Sequence, residues 1–98
     1  MQKDNVITKI QDNAATLKIY GVRKLGIFGS FATYSQTSKS DIDVLVEFKK
    51  GNKTFDNYMG LKLYLERLFH RRVDLVIKDA LKSRIRKRVL SGTAYARL

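Results

Sequence analysis

Apolar residues recur every three or four positions in three stretches of this chain, a spacing that places them on one side of a helix. The stretches cover residues 4–19, where Asp4 or Asn5 supplies the N-cap, then residues 57–69 and residues 80–96. The spacing therefore predicts three amphipathic helices. Their apolar positions are Val6, Ile10, Ala14, Leu17, Tyr58, Leu61, Leu65, Leu68, Leu81, Ile85 and Val89.

Three short runs rich in β-branched and aromatic residues are typical of strands. They cover residues 24–29, 41–48 and 72–77, and a short helix or turn with a polar loop, at 31–40, separates the first two. The resulting order, α-β-α-β-α-β-α, predicts an α/β fold in which helices pack against a small sheet. We expect a chain of 98 residues to form one domain, residues 1–98.

The charge of the chain is strongly positive and uneven. Twenty Lys and Arg residues against nine Asp and Glu give +11, and residues 51–98 alone hold twelve basic and four acidic residues. This excess predicts an anionic partner, with a solvated basic surface as the alternative. Five of the basic residues lie within residues 82–88, namely Lys82, Arg84, Arg86, Lys87 and Arg88.

The composition excludes several classes of site. The chain has no cysteine and a single histidine, His70, which rules out a thiolate nucleophile and argues against a zinc centre. We expect His70 to lie at the C-terminal end of its helix, where a cation is favoured. No apolar run approaches the roughly 18 residues of a membrane span, and the N-terminus does not resemble a signal peptide. These features predict a cytoplasmic protein without a membrane association.

Two aspartates open the most strand-like run of the chain. Asp41 and Asp43 are two residues apart, so in a strand they project to the same face, with Cα atoms about 6.6 Å apart. Asp74 occupies a comparable position in the run RVDLV, and the three carboxylates converge if the two strands are neighbours. Mutual repulsion calls for a compensating cation, and carboxylate oxygens suit Mg²⁺. A solvated strand edge is the alternative for the pair, but the three together predict a site for two metal ions of the kind used in phosphoryl displacement.

Gly29 and Ser30 end the preceding apolar run, and ten residues separate Ser30 from Asp41. A glycine after a strand lets a phosphate approach the backbone closely, and the following turn opens toward backbone N–H groups that attract anions. The Ser30 hydroxyl can donate to the same oxygens. Gly29 and Ser30 are therefore predicted to bind a nucleotide.

These residues resemble the signature of the minimal nucleotidyltransferases (MNT) of the DNA polymerase beta superfamily. That signature is Gly-Ser, about ten residues, Asp-x-Asp, and a third Asp on a later strand. Here it corresponds to Gly29-Ser30, Asp41-Ile-Asp43 and Asp74. The stretch SDIDVLVEF, the helix before RRVDLV and the closing ALKSRIRKRVLSGTAYA are similar to the family as well. The resemblance implies the polymerase beta-like nucleotidyltransferase fold, with a mixed sheet of three or more strands.

The resemblance also implies a function. It implies an Mg²⁺-dependent nucleotidyltransferase, an antitoxin that transfers AMP from ATP to a hydroxyl, expected to be a tyrosine, of a cognate HEPN-domain ribonuclease toxin. By the same resemblance Asp41, Asp43 and Asp74 hold two metal ions and carry catalysis. The sequence departs from the family where members often have a basic residue after Gly-Ser, since residues 31–34 are FATY. Triphosphate binding would then depend on the metals, Ser30 and more distant basic residues.

Two other functions compete with this one. In the first, the chain is a non-catalytic antitoxin that neutralises its toxin by binding it through the basic helix at residues 82–88. In the second, the same helix makes the chain a small nucleic-acid-binding module, whose affinity would fall steeply with salt. The apolar helix faces of so small a domain would support a homodimer or a hetero-oligomer.

Overall fold

The computed structural model describes residues 2–29 and 41–98. Within these residues the helices are α1 (Lys3–Asp12), α2 (Ala14–Ile19), α3 (Phe55–Phe69) and α4 (Ser83–Ser91), with a short 3-10 helix at Lys78–Ala80. The strands are β1 (Val22–Phe28), β2 (Ile42–Phe48), β3 (Val73–Ile77) and β4 (Ala94–Tyr95). The predicted short helix or turn at 31–40 lies outside the described residues.

The four strands form one mixed sheet in the order β3-β2-β1-β4. β1 is antiparallel to both β2 and β4, whereas β2 and β3 are parallel. The predicted α/β fold with a mixed sheet of three or more strands is therefore confirmed. β2 lies between two partners, which agrees with its nearly continuous apolar sequence.

Alternation along β2 decides which face of the sheet carries the core. Ile42, Val44 and Val46 are fully buried on one face, and Phe48 is partly buried beside them. Helices α1, α2 and α3 supply further buried residues to this cluster. Full burial of each such side chain contributes about 1.5–3 kcal/mol to folding. Packing on this face therefore stabilises the arrangement of the strands. The buried members from the helices are Val6, Ile10, Leu17, Leu61, Leu65 and Phe69.

The prediction of one helix over residues 4–19 is wrong, because the helix breaks at Asn13. Asn13 has φ −110° and ψ 22°, and its side chain donates to the Lys9 carbonyl oxygen at 2.8 Å. The same side chain accepts a hydrogen bond from the Tyr64 hydroxyl at 2.8 Å. An asparagine that bonds to nearby backbone offers an alternative to helical hydrogen bonds, and here a contact with α3 reinforces it. The N-cap is Gln2 and not Asp4 or Asn5.

The prediction of one helix over residues 80–96 is also wrong. α4 ends at Ser91, Gly92 follows, and Ala94 and Tyr95 pair with Ile27 and Gly26 of β1. Gly26 permits this pairing, because a Cβ at that position would lie 2.6 Å from Thr93 Cγ2 and 3.0 Å from the Tyr95 ring. The chain therefore finishes its sheet with a two-residue strand.

The connection through α4 crosses the sheet, because β3 and β4 lie at opposite edges and run parallel. Leu45 lies on the face away from the core cluster and is only 1% exposed, so that face is covered at this position too.

Side chains of α3 close the outer edge of β3. The Glu66 carboxylate accepts a hydrogen bond from the Val73 N–H at 2.9 Å, and the Tyr58 hydroxyl donates to the Leu75 carbonyl oxygen at 2.7 Å. Unpaired groups on an edge strand are a template for pairing with another chain. At these two positions the backbone groups of β3 are bound to side chains of α3 and are not available for such pairing. No helix in the described ranges has both the length and the apolar character that crossing a bilayer requires.

Candidate active site

Asp43 and Asp74 are direct neighbours across β2 and β3. The parallel register pairs Ile42 with Val73 and Asp43 with Asp74, so the two aspartates lie about 4.8 Å apart in the direction of the strand hydrogen bonds. Both leave the face opposite the core cluster, since their neighbours Ile42, Val44, Val73 and Leu75 are buried in it. The two strands are therefore neighbours, as the convergence of the carboxylates requires.

Asp41 lies just before the first residue of β2 and is exposed. The predicted strand 41–48 therefore begins one residue later, at Ile42, whose N–H donates to the Arg72 carbonyl oxygen at 3.0 Å. Asp41 nonetheless acts electrostatically on Asp43, because its charge contributes to the raised pKa of that residue. The three predicted carboxylates thus belong to one electrostatic cluster.

The pKa of Asp43 is raised, first by burial and then by the charges of Asp74 and Asp41. All three causes disfavour the ionised carboxylate, and desolvation is the largest. A cation bound beside these acids would offset their repulsion and stabilise the ionised form of Asp43. Perturbed groups of this kind concentrate at functional sites, although structural clusters show them too.

Gly29 packs directly against Asp43. Its φ of +69° is a backbone conformation that L side chains rarely adopt, and a Cβ at this position would overlap the Asp43 Oδ2 atom. The sequence predicts that this glycine makes room for a phosphate, and that role stays a prediction. In the structure the room is filled by the carboxylate of a neighbouring strand, so Gly29 and Asp43 form one packed unit. Ser30 lies outside the described residues.

The residues fit a divalent cation by their chemistry and by their backbone positions. Asp43 and Asp74 offer oxygen ligands of the kind that Mg²⁺ prefers. The pairing of β2 with β3 fixes their backbones beside each other, whatever the side-chain rotamers. Among the described side chains, no three His, Cys, Asp or Glu residues stand close enough together to ligate one ion in this arrangement. For all three carboxylates to bind one ion, their side chains therefore have to move from the positions seen here.

The sequence reasoning overlooked two residues on this face of the sheet. Phe28 of β1 is the register partner of Asp43, so it borders the carboxylates on the side away from Asp74. Arg72 precedes Asp74 by two residues and is exposed. The signal for Arg72 was present in the run RVDLV, because residues two apart in a strand share a face.

The other candidate residues lie elsewhere. His70 is the C-cap of α3 with φ 54°, as expected of a residue at the end of that helix. In the basic stretch at residues 82–88, Lys82 precedes α4, no residue of α4 is buried, and Ile85 is 42% exposed. A cavity of about 370 Å³ lined by Phe55, Tyr58 and Ile77 lies at the other ends of β2 and β3. That cavity is therefore separate from the carboxylates.

A family model for the nucleotidyltransferase domain matches residues 8–96 of the chain. The chain belongs to the nucleotidyltransferase domain family. This nucleotidyltransferase domain is 42% identical over 76 residues to the protein adenylyltransferase MntA of Thermococcus cleftensis, a match that covers 78% of this chain and 76% of that protein. The matched region contains most of the sheet that positions the carboxylates, so the family resemblance seen in the sequence is confirmed.

Solved structures show the same fold. A structure described as a minimal nucleotidyltransferase superimposes on this domain with a TM-score of 0.82 and 31% identity, covering 96% of this chain and 95% of that one. A chain from the complex of a tri-AMPylated HEPN toxin with its MNT antitoxin, from Shewanella oneidensis, gives a TM-score of 0.63 at 16% identity, with 91% and 70% coverage. At that identity the second comparison concerns the fold alone.

Proposed function

We propose that this nucleotidyltransferase domain is an antitoxin that transfers AMP from ATP to a hydroxyl group, a tyrosine, of a cognate HEPN-domain toxin. The observation that carries the proposal is the register pair of Asp43 and Asp74, with Asp41 acting on the same cluster. The similarity to a protein adenylyltransferase supports AMP as the transferred group. The shared fold with a chain from an MNT–HEPN complex supports the partner class. A cytoplasmic location and a single domain over residues 1–98 belong to the same proposal.

Each site residue has a role in the proposed reaction. Asp41 and Asp43 would hold two Mg²⁺ ions and Asp74 one of them, and the ions would neutralise charge on the phosphates. The acceptor hydroxyl oxygen forms a bond to the α-phosphorus of ATP, the bond from that phosphorus to the bridging oxygen breaks, and pyrophosphate leaves with the electron pair. Asp74, which is exposed, accepts the hydroxyl proton. Gly29 keeps the Asp43 carboxylate in place, and Ser30 donates to a phosphate oxygen.

The test is AMP transfer onto the co-purified toxin with ATP and Mg²⁺, read as added mass on the toxin. The double variant Asp41→Asn/Asp43→Asn is expected to lose transfer while it keeps its fold. Asp79→Asn is the matched control, because Asp79 is an exposed acid on the 3-10 helix beyond the far end of β3. Transfer that persists in the double variant, or is equally lost in the control, would overturn the proposal.

A second candidate function is neutralisation of the toxin by binding alone. The observation that favours it is the exposed, wholly basic charge of α4, which carries no acidic residue. This candidate predicts that Asp43→Asn still neutralises the toxin in cells. The comparisons give no support to the nucleic-acid-binding alternative.

A further inference from the structure

We propose that Arg72 binds the triphosphate of the nucleotide and positions it over the carboxylates. This inference rests on the proposed function, because it assumes that the domain takes a nucleoside triphosphate. It assigns the binding residue to the position directly before β3, and not to the segment that follows Ser30.

The position of Arg72 follows from the sheet register. Its carbonyl oxygen accepts the Ile42 N–H at 3.0 Å, which extends the β2–β3 pairing by one residue beyond Val73. Alternation along the strand puts Arg72 and Asp74 on the same face, with Cα atoms about 6.6 Å apart. Across the strands Arg72 lies beside Asp41. The backbone of Arg72 therefore lies at the border of the carboxylate cluster, at the sheet end where β2 and β3 begin.

The charges around the cluster call for a cation at this end. Burial and two neighbouring carboxylates raise the pKa of Asp43, so the local surroundings are acidic. A triphosphate brings several more negative charges, which enzymes of phosphoryl transfer balance with Lys or Arg in addition to metal ions. Between Ser30 and Asp41 the sequence contains a single basic residue, Lys39.

The other described cations of the neighbouring strands are held at the far end of the sheet. Glu47 binds Arg23 at 2.8 Å and Lys78 at 3.5 Å, and the Lys24 ammonium lies 5.8 Å from the centre of the Tyr95 ring. Glu47 is four residues beyond Asp43, or about 13 Å along β2. Arg72, directly before β3, is thus a basic residue at the carboxylate end of the sheet.

The Glu66 carboxylate on α3 is the acid that senses the charge of Arg72. The pKa of Glu66 is lowered first by the hydrogen bond from the Val73 N–H at the edge of β3 and, as the last of several causes, by the charge of Arg72. Arg72 itself is exposed, so its side chain can turn from that edge toward a ligand over the sheet. The planar guanidinium donates two parallel hydrogen bonds to phosphate oxygens, which a lysine ammonium does not reproduce.

The experiment compares the binding of ATP and of AMP, in the presence of Mg²⁺, to the full chain and its variants by calorimetry. Arg72→Gln is expected to weaken ATP binding about 10- to 100-fold, the loss typical of a charge-assisted hydrogen bond, and to change AMP binding less than about twofold. Arg72→Lys should fall between Arg72→Gln and the wild type. Arg67→Gln is the matched control, because Arg67 is an exposed arginine on α3 and its loss changes the net charge equally.

Two results would overturn the role of Arg72: unchanged ATP binding in Arg72→Gln, or an equal loss of ATP and AMP binding, which indicates a structural effect. The melting temperature of each variant separates the second result from unfolding. Transfer onto the toxin is measured on the same samples. ATP binding that depends on Arg72 without any transfer by the wild type would refute the proposed function alone. Transfer that is normal in Arg72→Gln would refute this inference alone.

Discussion

The backbone of Gly29 lies against the carboxylate of Asp43, in a conformation that only glycine adopts without strain. This contact joins the end of β1 to the start of β2 at the candidate active site. The glycine therefore helps to hold the Asp43 carboxylate in its orientation.

Gly29→Ala is expected to cost stability and activity together. The left-handed backbone alone costs about 1–2 kcal/mol for an alanine, and the overlap with Asp43 adds to that and displaces the carboxylate. Gly51→Ala is the control, because Gly51 has φ +82° but open space where its Cβ would lie. Thermal unfolding and AMP transfer should show a moderate stability loss with full activity for Gly51→Ala, and a larger loss with little activity for Gly29→Ala. Equal effects on both properties would contradict the role of the Asp43 contact.

Asp43→Asn is expected to stabilise the fold while it abolishes transfer. Burial and two carboxylates raise the pKa of Asp43, so its ionisation disfavours the folded state. Because the residue is partly exposed, the gain should be only about 0.5 kcal/mol, or about 2–4 °C in melting temperature.

The pH dependence of that gain follows from the sign of the shift. A raised pKa means that the penalty is absent below the pKa of the unfolded chain and appears as the pH rises through the folded pKa. The difference in melting temperature between wild type and Asp43→Asn should therefore be present at pH 7 and vanish near pH 3. A variant less stable than the wild type at pH 7 would show that Asp43 supports the fold.

Glu66→Ala is expected to destabilise the fold by about 1–2 kcal/mol, because a charge-assisted hydrogen bond to the edge of β3 is lost. The Val73 N–H is the first cause of the lowered pKa of Glu66. That stabilisation is present above the unfolded pKa and is lost as the pH falls through the folded one. Lys62→Ala, which removes only the 3.2 Å ion pair with Glu66, should cost no more than about 0.5 kcal/mol. Urea unfolding at pH 7 and pH 3 checks both variants, and a pH-independent cost would contradict the assignment.

Charge reversal on α4 is expected to weaken toxin binding by at least about 10-fold and to leave ATP binding unchanged, because α4 presents an exposed basic surface. A triple reversal elsewhere on the surface has the same change in net charge and should have little effect. The two sets are Arg84→Glu, Lys87→Glu and Arg88→Glu on α4, and Lys49→Glu, Lys50→Glu and Lys53→Glu in the loop after β2.

Surface plasmon resonance at two salt concentrations measures both sets. The loss on α4 should shrink at high salt, where the charges are screened. Equal losses from the two sets would mean that net charge alone governs the encounter, and would remove α4 as a specific contact.

The strands that position the site could be predicted because their residues leave little freedom. In β2 the apolar residues Ile42, Val44 and Val46 recur at every second position. That period is typical of a strand and differs from the period of a helix. The pairing of Asp43 with Asp74 followed from the same alternation once β2 and β3 were assumed to be neighbours. The sequence alone does not show that β2 and β3 are neighbours or which residues pair, since register depends on contacts across the sheet.

The two helix predictions are wrong because contacts with residues distant in the sequence end each helix early. Asn13 interrupts the first helix with help from Tyr64, which is 51 residues away. Ala94 and Tyr95 leave the last helix because Gly26 offers them a pairing edge. A pattern of local spacing carries no information about either partner. The spacing of Arg72 and Asp74 predicts a shared face, but that Arg72 lies beside Asp41 depends on the pairing of β2 with β3, which local spacing does not give.

The closed edge of β3 limits how this domain can assemble with other chains. A strand arriving beside β3 would find the Val73 N–H bound to Glu66 and the Leu75 carbonyl oxygen bound to Tyr58. The sheet cannot continue into a neighbouring molecule on that side without breaking both bonds. On the β3 side, a partner chain therefore has to approach through side chains and not by adding a strand to the sheet.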